Sequence, residues 1–486
     1  MVTLNGRELT CADVVAVARE GARVAIAEDA LAAMAAARAL AEDVLARGLP
    51  TYGLTTGLGA QKRSFQDHED KGFDWRQIAE SRAGIGEPAP HDVVRAAMLV
   101  LANQMAAAFS CARPELLERL VAALNDDLRP VVRSLGSLGA ADLAAMADIA
   151  HAVYAGFDLA PGEGLALISP SAFGTGSAAL ALADAARLLD AADVAGALSL
   201  EGFAANLSVL HPVAERARLD PVLARTLARF RDLLDGSYLW AEGAARNLQD
   251  PLTYRSTAPI QAAVRTALEH AHALLAIELN AQQGNPLVSV EDGRMVSAAV
   301  YEVVGLAAAL DYVRAALATA LTAACERTVK LLDTPWSGLP TGLLSGGGPD
   351  LGLSILAVTA QSLAAEASLL AQPVSFTVTS SAGAEGIEDR ATHLPLAARR
   401  LAEMTSLGAG VVAIELVVSA QAVDVRAAGP PGRATRPTGR GAPSLGRGTR
   451  KAYERVREVV PEMTAGRTPP VDVEPVRALL RAAAIG

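Results

Sequence analysis

Apolar positions along this chain recur at helical spacing over long stretches, and the charged positions fall between them. Asp29 to Ala46 reads as an amphipathic helix with Asp29 as its N-cap. Pro90-His91-Asp92 opens a second helix running through Asn103, and Pro114 to Leu124 a third, with proline at the start where its missing N–H costs nothing. Val300 to Leu332 predicts one helix of roughly nine turns. Its interior charges are sparse until Glu326, Arg327 and Lys330, and Leu351 to Leu370 and Ala397 to Val425 look alike. A helix apolar on nearly all sides must be enclosed on nearly all sides. The pattern therefore predicts an all-α fold with a long central helical bundle, whose leftover apolar faces point to a homo-oligomer. The expected organisation is an N-terminal loop-and-helix region (1–110), the bundle (111–425), a Gly/Pro/Arg-rich loop (426–450) and a helical tail (451–486).

Composition reinforces the helical reading. Of the 486 residues, 51 % are hydrophobic but only 4 % aromatic, so the apolar content is mostly Ala, Leu and Val. Alanine has the best helix propensity, and small side chains let helices approach closely. The stretch Val303 to Leu321 is apolar enough to raise the question of a membrane span. Asp311 and Arg314 interrupt it, and a charge at mid-bilayer costs roughly 2.5–3.5 kcal/mol, so a helix buried in protein is expected. No basic-then-apolar signal pattern opens the chain.

The formal net charge of −10 argues against a nucleic-acid partner. The basic stretch Arg426 to Arg450, with six arginines, reads as a solvated loop. Cys11, Cys111 and Cys325 are far apart with no metal or redox spacing, so they read as reduced thiols of a cytoplasmic protein. No metal and no dissociable cofactor is expected. The Gly-rich stretches 53–59, 136–139, 162–176 and 338–352 fit neither a dinucleotide fingerprint nor a P-loop.

Two of these stretches carry candidate chemistry. Thr51-Tyr52-Gly53-Leu54-Thr55-Thr56-Gly57-Leu58-Gly59-Ala60 reads as a mobile glycine loop displaying an exposed tyrosine. It is similar to the Tyr-Gly-x-x-Thr-Gly-x-Gly motif of the aromatic amino-acid ammonia-lyase and aminomutase family. Gly136-Ser137-Leu138-Gly139-Ala140-Ala141-Asp142-Leu143-Ala144 resembles that family's Gly-Ser-x-Gly-Ala-Ser-Gly-Asp-Leu-Ala signature, shortened by one residue. Further similarity covers nearly the whole chain: Glu163-Gly-Leu-Ala-Leu-Ile168, Gln249-Asp-Pro-Leu-Thr-Tyr-Arg255, Glu278-Leu-Asn280, Asn285-Pro-Leu287, Glu388-Asp389 and the tail from Gly446 to Leu480.

The resemblance implies the helical ammonia-lyase fold, a small-molecule substrate, and a homotetramer with sites shared between subunits. It also implies an electrophile made when Ala-Ser-Gly cyclises and loses two waters, the serine Cβ becoming a methylidene. Here Ala140-Ala141-Asp142 offers no hydroxyl to eliminate and no glycine amide to close the ring. The expectation is thus an ammonia-lyase fold without its methylidene-imidazolone. Tyr52 is carried over as acid or base and Arg255 as the grip on a substrate carboxylate. Gly59, Ser81, Ala140, Ala141, Ser169, Gln249, Leu252, Asn280, Tyr301 and Glu388 are the expected substrate-binding positions. Three departures from the family pattern stand out: Leu252 replaces a tyrosine, Ser169 an asparagine, and Glu80-Ser81-Arg82 lies where many lyases carry Ser-His.

Two function classes follow. One is an enzyme running electrophile-free elimination, isomerisation or addition and cyclisation on a small amino-acid-derived or carboxylate-bearing substrate, as in secondary metabolism. The other is a non-catalytic relative kept for binding or assembly.

Overall fold

A computed structural model describes residues 1–66, 70, 72–344, 350–377, 383–428, 444–464, 471–482 and 485. Most of the expected loop 426–450 lies outside these residues. Helices dominate, and the strands among the described residues form three short pairs. The long elements start and stop close to where the apolar pattern does: Glu28–Ala46, His91–Ala106, Pro114–Asn125, Val304–Leu332, Ser354–Leu370 and Leu394–Ala428. Asp29 is not the cap it resembles; Ala27 holds that position with no side-chain bond, and Asp29 sits in the first turn, where its charge complements the helix dipole. A true capping box occurs at Cys11–Arg19. There Asp13 N donates to Thr10 Oγ1 (3.1 Å) and Thr10 N to Asp13 Oδ2 (3.0 Å).

The apolar windows of three long helical stretches, Glu163–Phe203, Val304–Leu332 and Leu394–Ala428, are 89 %, 61 % and 89 % buried within the protein. Their length and hydropathy alone would allow a membrane span; their partners here are other parts of the chain.

The chain divides into two compact units. The first comprises Met1–Ala183, His270–Asp311 and Pro373–Arg400; the second Asp184–Glu269, Tyr312–Gln372 and Leu401–Gly486. This differs from the sequential segments expected, because the boundaries fall near or inside long helices rather than in linkers.

In the first unit, Val2–Leu4 pairs in parallel with Val24–Ile26. Ile85–Pro88 and Leu287–Ser289 pair antiparallel with Arg133–Leu135 and Arg294–Val296. The helix Phe73–Ser81 packs on Leu143–Val153 and Glu163–Ile168. Polar ties fix that packing: Gly164 N donates to Asp74 Oδ1 (2.7 Å), and Arg82 Nε to Asp148 Oδ1 (3.0 Å). Asp148 Oδ2 also accepts from Arg133 N (3.1 Å), tying the strand before the Ala140 loop to the helix after it. Glu163, fully buried, receives a two-pronged Arg113 guanidinium at 2.8 and 2.9 Å.

The second unit is organised around a buried ion pair. Arg327 Nε and Nη2 meet Glu415 Oε1 and Oε2 at 2.6 and 3.0 Å, with side-chain exposures of 1 % and 0 %. Above the pair, Tyr254 stacks on Phe203 with ring centroids 3.9 Å apart, and its hydroxyl donates to Arg327 O (2.9 Å). Removing one member of a buried pair strands the other's charge. Arg327→Met is therefore expected to lower unfolding stability by about 3–5 kcal/mol in urea titration, whereas a loss below about 1 kcal/mol would show that Glu415 is not held as a buried charge.

Candidate active site

The first unit contains a cavity of about 520 Å³, large enough for an amino-acid-sized ligand. Three walls define it: the Tyr52 loop, the helix Phe73–Ser81, and the loop Gly136–Asp142 that leads into the helix Leu143–Val153. Leu165, Ser169, Asn285, Tyr301, Ala384, Glu388 and Arg390 complete the lining.

The Gly136–Asp142 loop is held from several sides. Gly139 O accepts from Thr392 Oγ1 (2.8 Å) and Ser171 Oγ (3.2 Å), and Leu138 O from the Thr392 and His393 amides (3.1 and 2.8 Å). Asp142 is fully buried. Its carboxylate accepts from Ser137 Oγ and, at 2.6 Å, from Gly174 N in the first turn of Ala172–Phe203, where the helix dipole favours negative charge. Burial nevertheless dominates and pushes this carboxyl up to about 6. Ala141 N donates to Ser171 Oγ (3.3 Å), and Asp142 N to Pro170 O (3.2 Å). Ala141 itself sits at φ +66°, a left-handed conformation that costs an alanine about 1–2 kcal/mol.

These residues do not fit a methylidene-imidazolone. The group needs a side-chain oxygen at the central position, and Ala141 has a methyl. It also needs the next amide nitrogen to attack backward, and here that nitrogen belongs to Asp142 and is engaged with Pro170 O.

The Tyr52 loop is less exposed than its glycine content suggests. Thr51, Gly53, Leu54, Thr55, Thr56 and Gly57 are buried, and Tyr52 is half-buried. Thr51 N donates to Thr55 Oγ1 (2.7 Å), and Lys62 Nζ pairs with Glu385 Oε2 (2.7 Å). The Tyr52 hydroxyl accepts from Gly59 N (2.9 Å). Burial raises its pKa above the ordinary value near 10; the negative charge of Glu388 raises it further, and only the Gly59 N–H opposes. Tyr301 is raised likewise, by burial first and then by Glu388 and Tyr52. Both phenols are neutral at physiological pH.

Of the positions expected from sequence, Tyr52, Gly59, Ser81, Ala140, Ala141, Ser169, Tyr301 and Glu388 line this cavity together. Four do not. Asn280 is a structural staple: its Oδ1 accepts from Leu9 N (2.8 Å) and Asn103 Nδ2 (3.1 Å), and its Nδ2 donates to Leu9 O (3.0 Å). Asn285, five residues on, is the asparagine that reaches the cavity. Gln249, Leu252 and Arg255 belong to the second unit; Gln249 and Leu252 are exposed, and Arg255 Nε donates to Asp250 O (2.7 Å). Sequence reasoning missed Gln77 and Arg390, and named Glu80 only within the Glu80-Ser81-Arg82 departure. Gln77 lies one helical turn before Ser81 on the same face, a spacing that could have flagged it. Arg390, two residues after Glu388, pairs loosely with Glu302 (3.5 Å) and is the lining guanidinium.

The family profile described as aromatic amino acid lyase matches residues 9–156 and 154–458. The chain belongs to this family. It is 34 % identical to the histidine ammonia-lyase of Symbiobacterium thermophilum, over 98 % of this chain and 96 % of that one. Identity to the histidine ammonia-lyase of Treponema denticola is 33 %, over 89 % and 90 %. Among solved structures, the ergothionase of Treponema denticola superposes with a TM-score of 0.89 at 25 % identity, over 100 % and 99 % of the two chains. The tyrosine aminomutase of Streptomyces globisporus gives 0.88 at 26 %, over 100 % and 97 %. The helical lyase fold expected from sequence is thereby established.

Two predictions come from the loop. Asp142 has a folded-state pKa of about 6 against an ordinary 3.8, so its contribution is fully present below the lower value and lost as pH rises through the upper. Between about pH 4 and 7 the stability difference should therefore move in favour of Asp142→Asn by a total of order 3 kcal/mol; a pH-independent difference would contradict the burial argument. Ala141→Gly should raise thermal stability, by about 1 kcal/mol, and a loss would show that Ala141 is not strained.

Proposed function

We propose that this chain is an ammonia-lyase-fold enzyme that works without a methylidene-imidazolone, on a small aromatic or otherwise amino-acid-derived carboxylate. The observation that carries the reading is the pairing of an intact cavity around Tyr52 with a loop whose central residue is Ala141 and whose next amide is bonded to Pro170 O. Membership in a family of lyases and aminomutases supports catalysis on a small molecule. It leaves open which bond is broken.

The electrostatics favour a division of labour. A phenol whose pKa lies above 10 is a poor base at neutral pH, so Tyr52 donates a hydrogen bond or a proton to a developing oxyanion or leaving group. Glu388, whose negative charge both phenols feel, is the proton acceptor. The N-terminus of Leu143–Val153 adds its dipole beside Ala140 and Ala141. Without the electrophile, a positioned acid and base supply typically 10²–10⁴-fold each. That suits substrates with an acidic C–H or a good leaving group, by elimination, isomerisation or addition and cyclisation. Arg390 is the carboxylate grip available within the cavity. Gln249, Leu252 and Arg255 are not in its lining, and in this reading a second copy of the chain brings them to it, as sites shared within a homotetramer require.

The test is turnover by purified protein across arylacrylates, aromatic amino acids and their hydroxy and thioester analogues. Tyr52→Phe is expected to lower kcat by about 10²–10⁴-fold with the melting temperature unchanged. With Tyr52 as an acid, activity should hold from neutral pH to about 9 and decline only as the phenol ionises; activity that climbs through this range would make Tyr52 the base instead. Binding of these compounds with no turnover of any would favour the alternative, a non-catalytic relative serving in binding or assembly.

A further inference from the structure

The helix Phe73–Ser81 presents Phe73, Gln77, Glu80 and Ser81 to the cavity. Gln77 is the odd member. Its side chain is buried, 5 % exposed, yet among the described residues neither Oε1 nor Nε2 has a hydrogen-bond partner. Buried amides are almost always paired, because an unmade bond there forfeits solvation with nothing in return. The helix is not free to shift and satisfy it. Asp74 is tied to Gly164 N (2.7 Å), Trp75 Nε1 to Phe157 O (3.0 Å), and Arg82 to Asp148 (3.0 Å). A second orphan lies on the same cavity: Ser169 Oγ, also buried and without a partner among the described residues.

We infer that Gln77 is a specificity-determining residue, selecting ligands whose part facing the Phe73–Ser81 wall carries hydrogen-bonding ring atoms or substituents, and rejecting a plain phenyl ring. The inference rests on the reading of this cavity as a site for aromatic amino-acid-derived carboxylates. An amide offers one donating and one accepting edge, so an imidazole or a phenol satisfies it and a benzene ring does not. The Ser81 hydroxyl beside it adds a group that can do either. Water in the cavity does not rescue the phenyl ligand, since an apolar ring that displaces such a water leaves the amide bare. Discrimination of this kind is strong because the penalty falls on the site itself.

The experiment is calorimetric titration of the full-length protein with urocanate, 4-hydroxycinnamate and cinnamate, repeated with Gln77→Leu. The wild type is expected to bind at least one of the two polar-ringed probes about tenfold or more tightly than cinnamate, and Gln77→Leu to shrink that ratio to about threefold or less. The ratio is the readout because general loosening of the helix would weaken all three probes alike. Should the leucine variant fail to fold, Gln77→Met, closer in length, takes its place. If cinnamate binds as well as the polar probes, or if the preference survives the substitution, Gln77 does not set specificity and the cavity reading stands. If the wild type binds none of the three, both fall.

Discussion

The candidate site depends on one buried carboxylate. Asp142 reaches from the end of the Gly136–Asp142 loop to Gly174 N at the start of Ala172–Phe203, and Ser137 Oγ closes the loop back onto it. That single residue joins the loop to the beginning of a 32-residue helix, so the loop's position is set by an element far larger than itself. Thr392 and Ser171 hold Gly139 O from the other side. The loop is thus held from both sides where it lines the cavity. Its central side chain is a methyl.

On the proposed electrophile-free reading, the cavity's own groups have to do the chemical work. An electrophile does its work by drawing electrons from the substrate; without it, the remaining levers are hydrogen bonds, fixed charge and the helix dipole. Two neutral phenols line the cavity with Glu388, whose negative charge both feel, and burial, rather than any cation, decides their protonation. Such a set handles proton transfer at activated positions. Expelling an amine from an unactivated amino acid asks for more than general acid–base catalysis supplies.

Much of the fold was legible because it is written in helical periodicity, which survives without knowledge of tertiary contacts. Helix ends at His91, Pro114 and Leu332 lie within a residue or two of the pattern. In the Tyr52 loop, glycine content signals conformational freedom. What it does not show is that Thr55 and Leu54 pack inward and that Lys62 ties the far end to Glu385. Asn280 and Asn285 are both polar residues near a helix end; only the contacts of Asn280 with Leu9 and Asn103, distant in sequence, tell the staple from the lining residue. Gln77 carried no motif at all. Its interest comes from the absence of partners around a buried amide, which only three-dimensional packing reveals.

The most direct measurement is the intact mass of the purified protein, with the tryptic peptide Ser134–Arg187 mapped separately. The account predicts the mass of the unmodified polypeptide, with Ala140, Ala141 and Asp142 joined by ordinary peptide bonds. A peptide lighter by one water or more, with the loss localised to these three residues, would mean that the loop cyclises after all and would contradict it.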